Sequence, residues 1–262
     1  MNYVLILLIF AGIGLLAGIL LTAASKVFAV RIDEKLEAVQ NTLPQANCGG
    51  CGFSGCNDYA DAIVNKGEAL NKCNPGGEET AKKIGLIMGK DAGNTEPVTA
   101  FVHCNGTCDA APNKYDFDGL KSCSAANRLY GGTKLCNNGC LGLGDCASVC
   151  SNGAIKICNG VAFIDENLCT GCGLCAKACP KNLITLRRKS QRFEVLCRSE
   201  ASAKTTRTLC KNGCVGCRLC EKACLADAIK VKNNFAEIDY DKCINCGECA
   251  KACKLGVIKA VK

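Results

Sequence analysis

No charged side chain occurs before Lys26, and Tyr3 through Ala24 are almost all apolar. A run of about 22 such residues is long enough to cross a hydrocarbon core as a single helix. It is too long for the apolar core of a signal peptide, and no small-x-small cleavage site follows a short apolar core. Gly14-x-x-x-Gly18 sets two small residues on one face, which reads either as a contact with a partner membrane helix or as simple composition. Only Met1 and Asn2 precede the span, whereas Lys26, Arg31 and Lys35 follow it. The positive-inside rule then predicts a single-pass protein of the cell membrane with its bulk on the cytoplasmic side.

Beyond the span the apolar period changes twice. Val30, Leu36, Val39 and Leu43 recur at helical spacing, which predicts an amphipathic helix over 26–43 that Pro44 ends. Residues 58–70 also read as helical. Farther on, short runs predict β-hairpins: Ile155–Cys158 and Val161–Ile164 around Asn159-Gly160, then Ile229–Lys232 and Phe235–Ile238 around Asn233-Asn234. Asn and Gly suit the positive φ of such turns. The second hairpin repeats the first at an offset of 74 residues, and Leu183-Ile184 maps onto Val257-Ile258 at the same offset.

Cysteine changes the picture, at 26 of 262 residues. A disulfide scaffold of this length on the reducing side of a membrane is excluded. Mixed Cys/His zinc sites are nearly excluded, because His103 is the one histidine. The spacings point to iron–sulfur clusters. Cys48, Cys51, Cys56 and Cys73 form a C-x2-C-x4-C-x16-C module whose glycines let the loop wrap and aim N–H groups at sulfur. Cys140, Cys146, Cys150, Cys169, Cys172, Cys175 and Cys179 recur, 74 residues on, as Cys214, Cys220, Cys224, Cys243, Cys246, Cys249 and Cys253.

The second copy, with Cys214-x2-Cys217-x2-Cys220-x3-Cys224 and an identically spaced run from Cys243, resembles the two-cluster bacterial ferredoxin. In that fold the fourth cysteine of each run ligates the other cluster. The resemblance implies one cluster on Cys214, Cys217, Cys220 and Cys253, and another on Cys224, Cys243, Cys246 and Cys249. In the first copy Leu143 stands where the second has Cys217. Cys136, four residues before Cys140, is the expected replacement, with the Gly142-Leu143-Gly144 loop bending around the cluster. The first copy is therefore assigned Cys136, Cys140, Cys146 and Cys179 for one cluster, and Cys150, Cys169, Cys172 and Cys175 for the other. Only Cys179 is followed by the proline usual in the family.

Cys104, Cys108, Cys123, Cys158, Cys197 and Cys210 are left over. Cys158 lies on a hairpin strand, aligns with Lys232 and reads as a passenger. Cys104, Cys123, Cys197 and Cys210 form a candidate sixth set, with Cys108 in competition; the alternative is scattered structural thiols. The expected cofactors are five [4Fe–4S] clusters with a sixth possible on that set, and no flavin or nucleotide, since no G-x-G-x-x-G follows a strand.

The formal charge of +8 counts thiols as neutral. Five clusters at about −2 each reverse it, so the charge is no sign of nucleic-acid binding. A basic stretch from Arg187 to Lys211 suits either docking of an acidic partner or lipid, or a solvated loop that offsets cluster charge.

Taken in order, these modules resemble the B subunits of the Rnf complex in their long form. The expected fold is α+β: a transmembrane helix (1–25), an amphipathic helix with a helical four-cysteine module (26–95), a connecting segment (96–135), a ferredoxin-like domain (136–188), a basic linker (189–209) and a second ferredoxin-like domain (210–262). Residues 78–99 and 189–209 are the expected hinges on composition. The resemblance implies a protein that accepts electrons from soluble ferredoxin and relays them among the other Rnf subunits. The complex as a whole reduces NAD⁺ and moves Na⁺ or H⁺. The chain alone shows no catalytic residue: it is an electron carrier, and iron bound through the cysteines does the chemistry.

Overall fold

The structure, a computed structural model, describes residues 3–27 and 33–261. The apolar run folds as α1 (Tyr3–Val27). Its stretch Leu8–Lys26 is long and apolar enough to cross a membrane, and among the described residues nothing covers it. Among the described residues nothing lies within 4 Å of a Cβ placed on Gly14 or Gly18.

The amphipathic helix is shorter than its sequence pattern. It runs as α2 (Glu34–Thr42) and is capped by Asp33, whose side chain accepts from the Lys35 N–H. Val30 and Arg31 lie outside the described residues. Val39 and Leu43 are buried against α3 (Cys56–Lys66) and α4 (Gly77–Met88). Gly67 and Gly89, both left-handed, end α3 and α4. Tyr59, 1% exposed, fixes the module's long return. Its hydroxyl donates to Ala69 O at 2.7 Å and accepts from Lys72 N at 3.1 Å, which positions Cys73. Part of the segment expected as a hinge, 78–99, is therefore α4, whose Ala81 and Ile84 are core residues.

The rest is two similar α+β units. In the first, β1 (Val98–Val102) precedes the short helices α5 (Cys123–Arg128) and α6 (Asp145–Ser148). The hairpin of β2 (Ile155–Cys158) and β3 (Val161–Ile164) follows, then α7 (Leu174–Ala178) and β4 (Ile184–Arg188). The hairpin has the register its pattern predicts, Ile155 opposite Ile164, with Asn159 at φ 46° and Gly160 at φ 73°. A second sheet pairs β1 with β4, Val98 opposite Arg188.

The second unit repeats this with β5 (Phe193–Val195), α8 (Ala203–Leu209), α9 (Leu219–Lys222), the hairpin β6 (Ile229–Lys232) and β7 (Phe235–Ile238), α10 (Glu248–Ala252) and β8 (Ile258–Ala260). Here β5 pairs with β8. The segments expected to connect thus contribute β1 and β5. Each supplies the partner strand its unit lacks and covers that unit's apolar core.

His103 bolts the two units together. One ring nitrogen lies 2.7 Å from the Val195 carbonyl and the other 2.7 Å from Thr185 Oγ1. Burial depresses its pKa to about 4, against the raising effect of the Val195 carbonyl. The folded protein therefore holds it neutral while the unfolded chain takes up a proton below about 6.5, so stability is lost as pH falls from 6.5 toward 4. The contribution lost by pH 5.5 is about 1 kcal/mol. His103→Gln is expected to flatten that part of the profile in anaerobic urea titrations at pH 7.5 and 5.5. An unchanged slope would count against this role.

Candidate metal centres

All 26 cysteines are free of disulfides. Most converge in groups of four. Cys48, Cys51, Cys56 and Cys73 line one cavity under α3, and Asn47 braces it by accepting the Cys56 N–H at 2.8 Å. In the first unit Cys150, Cys169 and Cys172 lie close enough to Cys175 to act on it electrostatically. In the second unit Cys214, Cys217, Cys220 and Cys253 line one cavity, and Cys224, Cys243, Cys246 and Cys249 another.

The remaining set of the first unit differs from the spacing-based expectation. Cys140, Cys146 and Cys179 share their cavity with Cys123, while Cys136 lies in a different one. The cause is Asp145. Its carboxylate accepts the N–H groups of Cys123 and Ser124 and the Ser122 hydroxyl, at 2.8, 2.9 and 3.0 Å. These contacts pin the start of α5 to the start of α6. Burial raises the Asp145 pKa, but the hydrogen bonds outweigh it and hold the carboxyl below its usual range. Leu143 does not ligate; it packs with Leu141 against Cys123 and Ala126. The helix that Leu143 seats carries the cysteine that stands in for Cys217.

The tentative sixth set changes in step: Cys104, Cys197 and Cys210 meet Cys136 rather than Cys123. Cys108 and Cys158 are exposed and line none of these cavities. The offset of 74 that pairs Cys136 with Cys210 was the signal in the sequence, whereas the same offset pairs Cys197 with Cys123, which lies in the other cavity.

The donor sets fit [4Fe–4S] clusters. Four thiols come together in each set, and amide N–H groups reach the sulfurs, as Ala228 N to Cys224 Sγ and Val257 N to Cys253 Sγ, both 3.3 Å. Thiolate-only donors select zinc or iron–sulfur centres. Zinc draws its ligands to about 2.3 Å from one point. A four-iron cluster holds its four thiolates farther apart than a single zinc ion does. Burial, then neighbouring thiolates, push the Cys146 thiol up to about 12 and Cys175 to about 11. Loading such thiols with a metal centre releases protons.

The cages adjoin. Lys177 Nζ donates to the Cys48 carbonyl at 3.1 Å, and a Cβ on Gly50 would come within 2.8 Å of the Cys172 carbonyl. The loop of the four-cysteine module therefore sits directly on a cysteine loop of the first unit, and only glycine fits there.

Fold and cages together define a ferredoxin-type iron–sulfur protein with an apolar N-terminal helix. Residues 43–75 match the Fe-S cluster family, residues 162–185 the 4Fe-4S binding domain and residues 213–257 the 4Fe-4S dicluster domain. The B subunit of the proton-translocating ferredoxin:NAD(+) oxidoreductase complex of Clostridium ljungdahlii is 43% identical over 238 residues, 90% of this chain and 84% of that protein. The B subunit of an ion-translocating oxidoreductase complex of Methanosarcina acetivorans is 42% identical over 89% of both chains. The B subunit of the Na(+)-translocating ferredoxin:NAD(+) oxidoreductase complex of Acetobacterium woodii is 42% identical over 87% of this chain and 69% of that protein. The chain belongs to this family, the B subunits of the Rnf ion-translocating oxidoreductase complexes.

Proposed function

We propose that this chain is the multi-[4Fe–4S] electron-transfer component of a membrane complex that couples ferredoxin:NAD⁺ oxidoreduction to Na⁺ or H⁺ translocation. It receives electrons from reduced soluble ferredoxin at the second ferredoxin-like unit. It delivers them to other subunits of the complex through the four-cysteine module, with α1 held in membrane lipid and the bulk on the cytoplasmic side. The cages are Cys48/Cys51/Cys56/Cys73, Cys123/Cys140/Cys146/Cys179, Cys150/Cys169/Cys172/Cys175, Cys214/Cys217/Cys220/Cys253 and Cys224/Cys243/Cys246/Cys249. Each cluster, when bound, supplies a redox site, and the protein tunes it by burial and N–H···S contacts.

The direction rests on exposure. Among these twenty cysteines only Cys217 and Cys246 are exposed, and both belong to the second unit. The opposite end, the Cys48 module, follows α1 in the chain. Arg207, Arg218 and Lys254 line the cavity of Cys217, a setting that attracts an acidic electron donor. Exposed Leu255 lines the same cavity, and Leu225 and Ile244 add exposed apolar area elsewhere on this unit.

Arg218 supports the docking role in a second way. It holds φ 60° at the position where the other three cysteine runs place Gly144, Gly173 and Gly247, at φ 90°, 78° and 80°. A non-glycine residue there costs about 1 kcal/mol, and strain of this kind gathers at functional sites. Arg218→Gly is expected to leave stability equal or better by up to about 1 kcal/mol. The same change is expected to slow reduction by ferredoxin about tenfold at low ionic strength. Stopped-flow bleaching of the visible iron–sulfur absorbance reads the rate. An unchanged rate with a retained salt dependence would remove Arg218 from the docking surface.

A further inference from the structure

A cavity lies between the two ferredoxin-like units, and its lining holds Cys104, Cys136, Cys197 and Cys210. All four fall outside the segments that match iron–sulfur families. They are not scattered: they are two equivalent pairs. Cys104 follows β1, the strand that completes the first unit's sheet, and Cys197 follows β5, which does the same in the second. Cys136 and Cys210 each stand four residues before the first cysteine of their unit's run, Cys140 and Cys214. Each unit thus presents two thiols to one point at the interface.

The amide environment repeats as well. Cys104 Sγ accepts the N–H of Gly106 at 3.4 Å, and Cys197 Sγ accepts that of Ser199 at 3.4 Å. Cys104 Sγ also accepts the Cys140 N–H at 3.3 Å, and the Cys214 N–H is directed at Cys197 Sγ. Cys140 and Cys214 are cage residues of the first and second units. The interdomain thiols therefore stand one hydrogen bond from a cage on either side.

Two further groups call for an anion here. Lys134 is 2% exposed and forms no ion pair among the described residues; its ammonium donates to the Gly106 and Gly160 carbonyls. It acts electrostatically on Cys136 and Cys210. A lysine this buried is rarely left without a counter-charge. Ser199, 3% exposed, lines the same cavity, and its hydroxyl finds no partner there but the Cys136 thiol, whose ionised form it favours.

We propose that Cys104, Cys136, Cys197 and Cys210 hold a sixth [4Fe–4S] cluster, two ligands from each unit, which bridges the two cluster pairs and locks the units together. The proposal rests on the iron–sulfur reading above. In the bound state the four thiols lose their protons, and the cluster carries the negative charge that Lys134 faces. No electron is exchanged in loading a preformed cluster.

The test uses the full-length protein purified without oxygen, with iron, zinc and acid-labile sulfide counted per chain. Cys104→Ser and Cys210→Ser, from opposite units, are each expected to lose about four iron and four sulfide. The double variant is expected to lose no more than either single. Cys108→Ser, an exposed neighbour outside the cavity, is expected to lose none. Unchanged content in either single variant, additive loss in the double, or one zinc per chain that disappears with these cysteines would overturn the proposal. Cys73→Ser separates the two levels: it loses about four iron whenever the iron–sulfur reading holds, whether or not the sixth site exists.

Discussion

Cys123→Ala combined with Cys179→Ala is expected to strip about four iron atoms from the chain, whereas Cys136→Ala combined with Cys179→Ala is expected to strip about eight. Cys123 and Cys179 line one cavity, so the second lesion removes nothing more. Cys136 and Cys179 serve different cavities, so their losses add. Spacing alone expects the reverse, since Cys136 is the nearer neighbour of Cys140. Iron and sulfide analysis of the two double variants decides between them: about four from the Cys136 pair with about eight from the Cys123 pair would restore the spacing-based set, and about four from the Cys136 pair with about four from the Cys123 pair would keep the structural set but remove the sixth cluster. Asp145→Ala should act like Cys123→Ala in weaker form, because it frees α5 without deleting the thiol.

Arg187→Met is expected to cost about 3–5 kcal/mol of stability, the largest loss for any change that touches no cysteine. Its side chain is 2% exposed. It pairs with Glu166, lies 3.7 Å from Glu194 and donates to the Gln191 carbonyl at 2.7 Å. Its guanidinium also sits 5.9 Å from the Phe101 ring centre. Glu194 in turn accepts the hydroxyl of Tyr240, so the network ties β1 and β4 of the first unit to β5 and the last third of the second. Burial pushes the Glu194 carboxyl up to about 7, against the Tyr240 hydroxyl and Arg187. Removing the cation leaves two acids near each other with nothing between them. Arg187→Met with Glu194→Gln is expected to recover part of the loss. Anaerobic denaturant titration measures both, and a loss below about 1 kcal/mol for the single change would show that the network is not what holds the units in register.

Arg187 also shows what the sequence could not disclose. As one member of a basic stretch it suited docking or solvation equally; the fold buries it, pairs Arg188 with Glu96 and Asp241, and leaves Arg207 at the cavity of Cys217. The hairpins were legible because their signals are local: alternating apolar residues and an Asn-containing turn suffice. The clustered cysteine runs were legible for the same reason. The strands β1 and β5 were not, because each pairs with a strand dozens of residues away and carries no turn signal. The offset of 74 hides their equivalence, since the first unit inserts the segment around α5 between its opening strand and Cys136. The choice between Cys123 and Cys136 depends on where that insertion docks, which Asp145 and Leu143 decide through tertiary contact. The apolar N-terminal helix, by contrast, follows from composition alone.

Everything proposed for this chain depends on its cysteines holding iron–sulfur clusters rather than zinc or bare thiols. Counting iron, acid-labile sulfide and zinc per chain, on the full-length protein purified without oxygen, decides this in one preparation. Six occupied cages correspond to about 24 iron and an equal count of sulfide, with no stoichiometric zinc. Zinc without sulfide, or a colourless protein with neither metal, would contradict the iron–sulfur assignment.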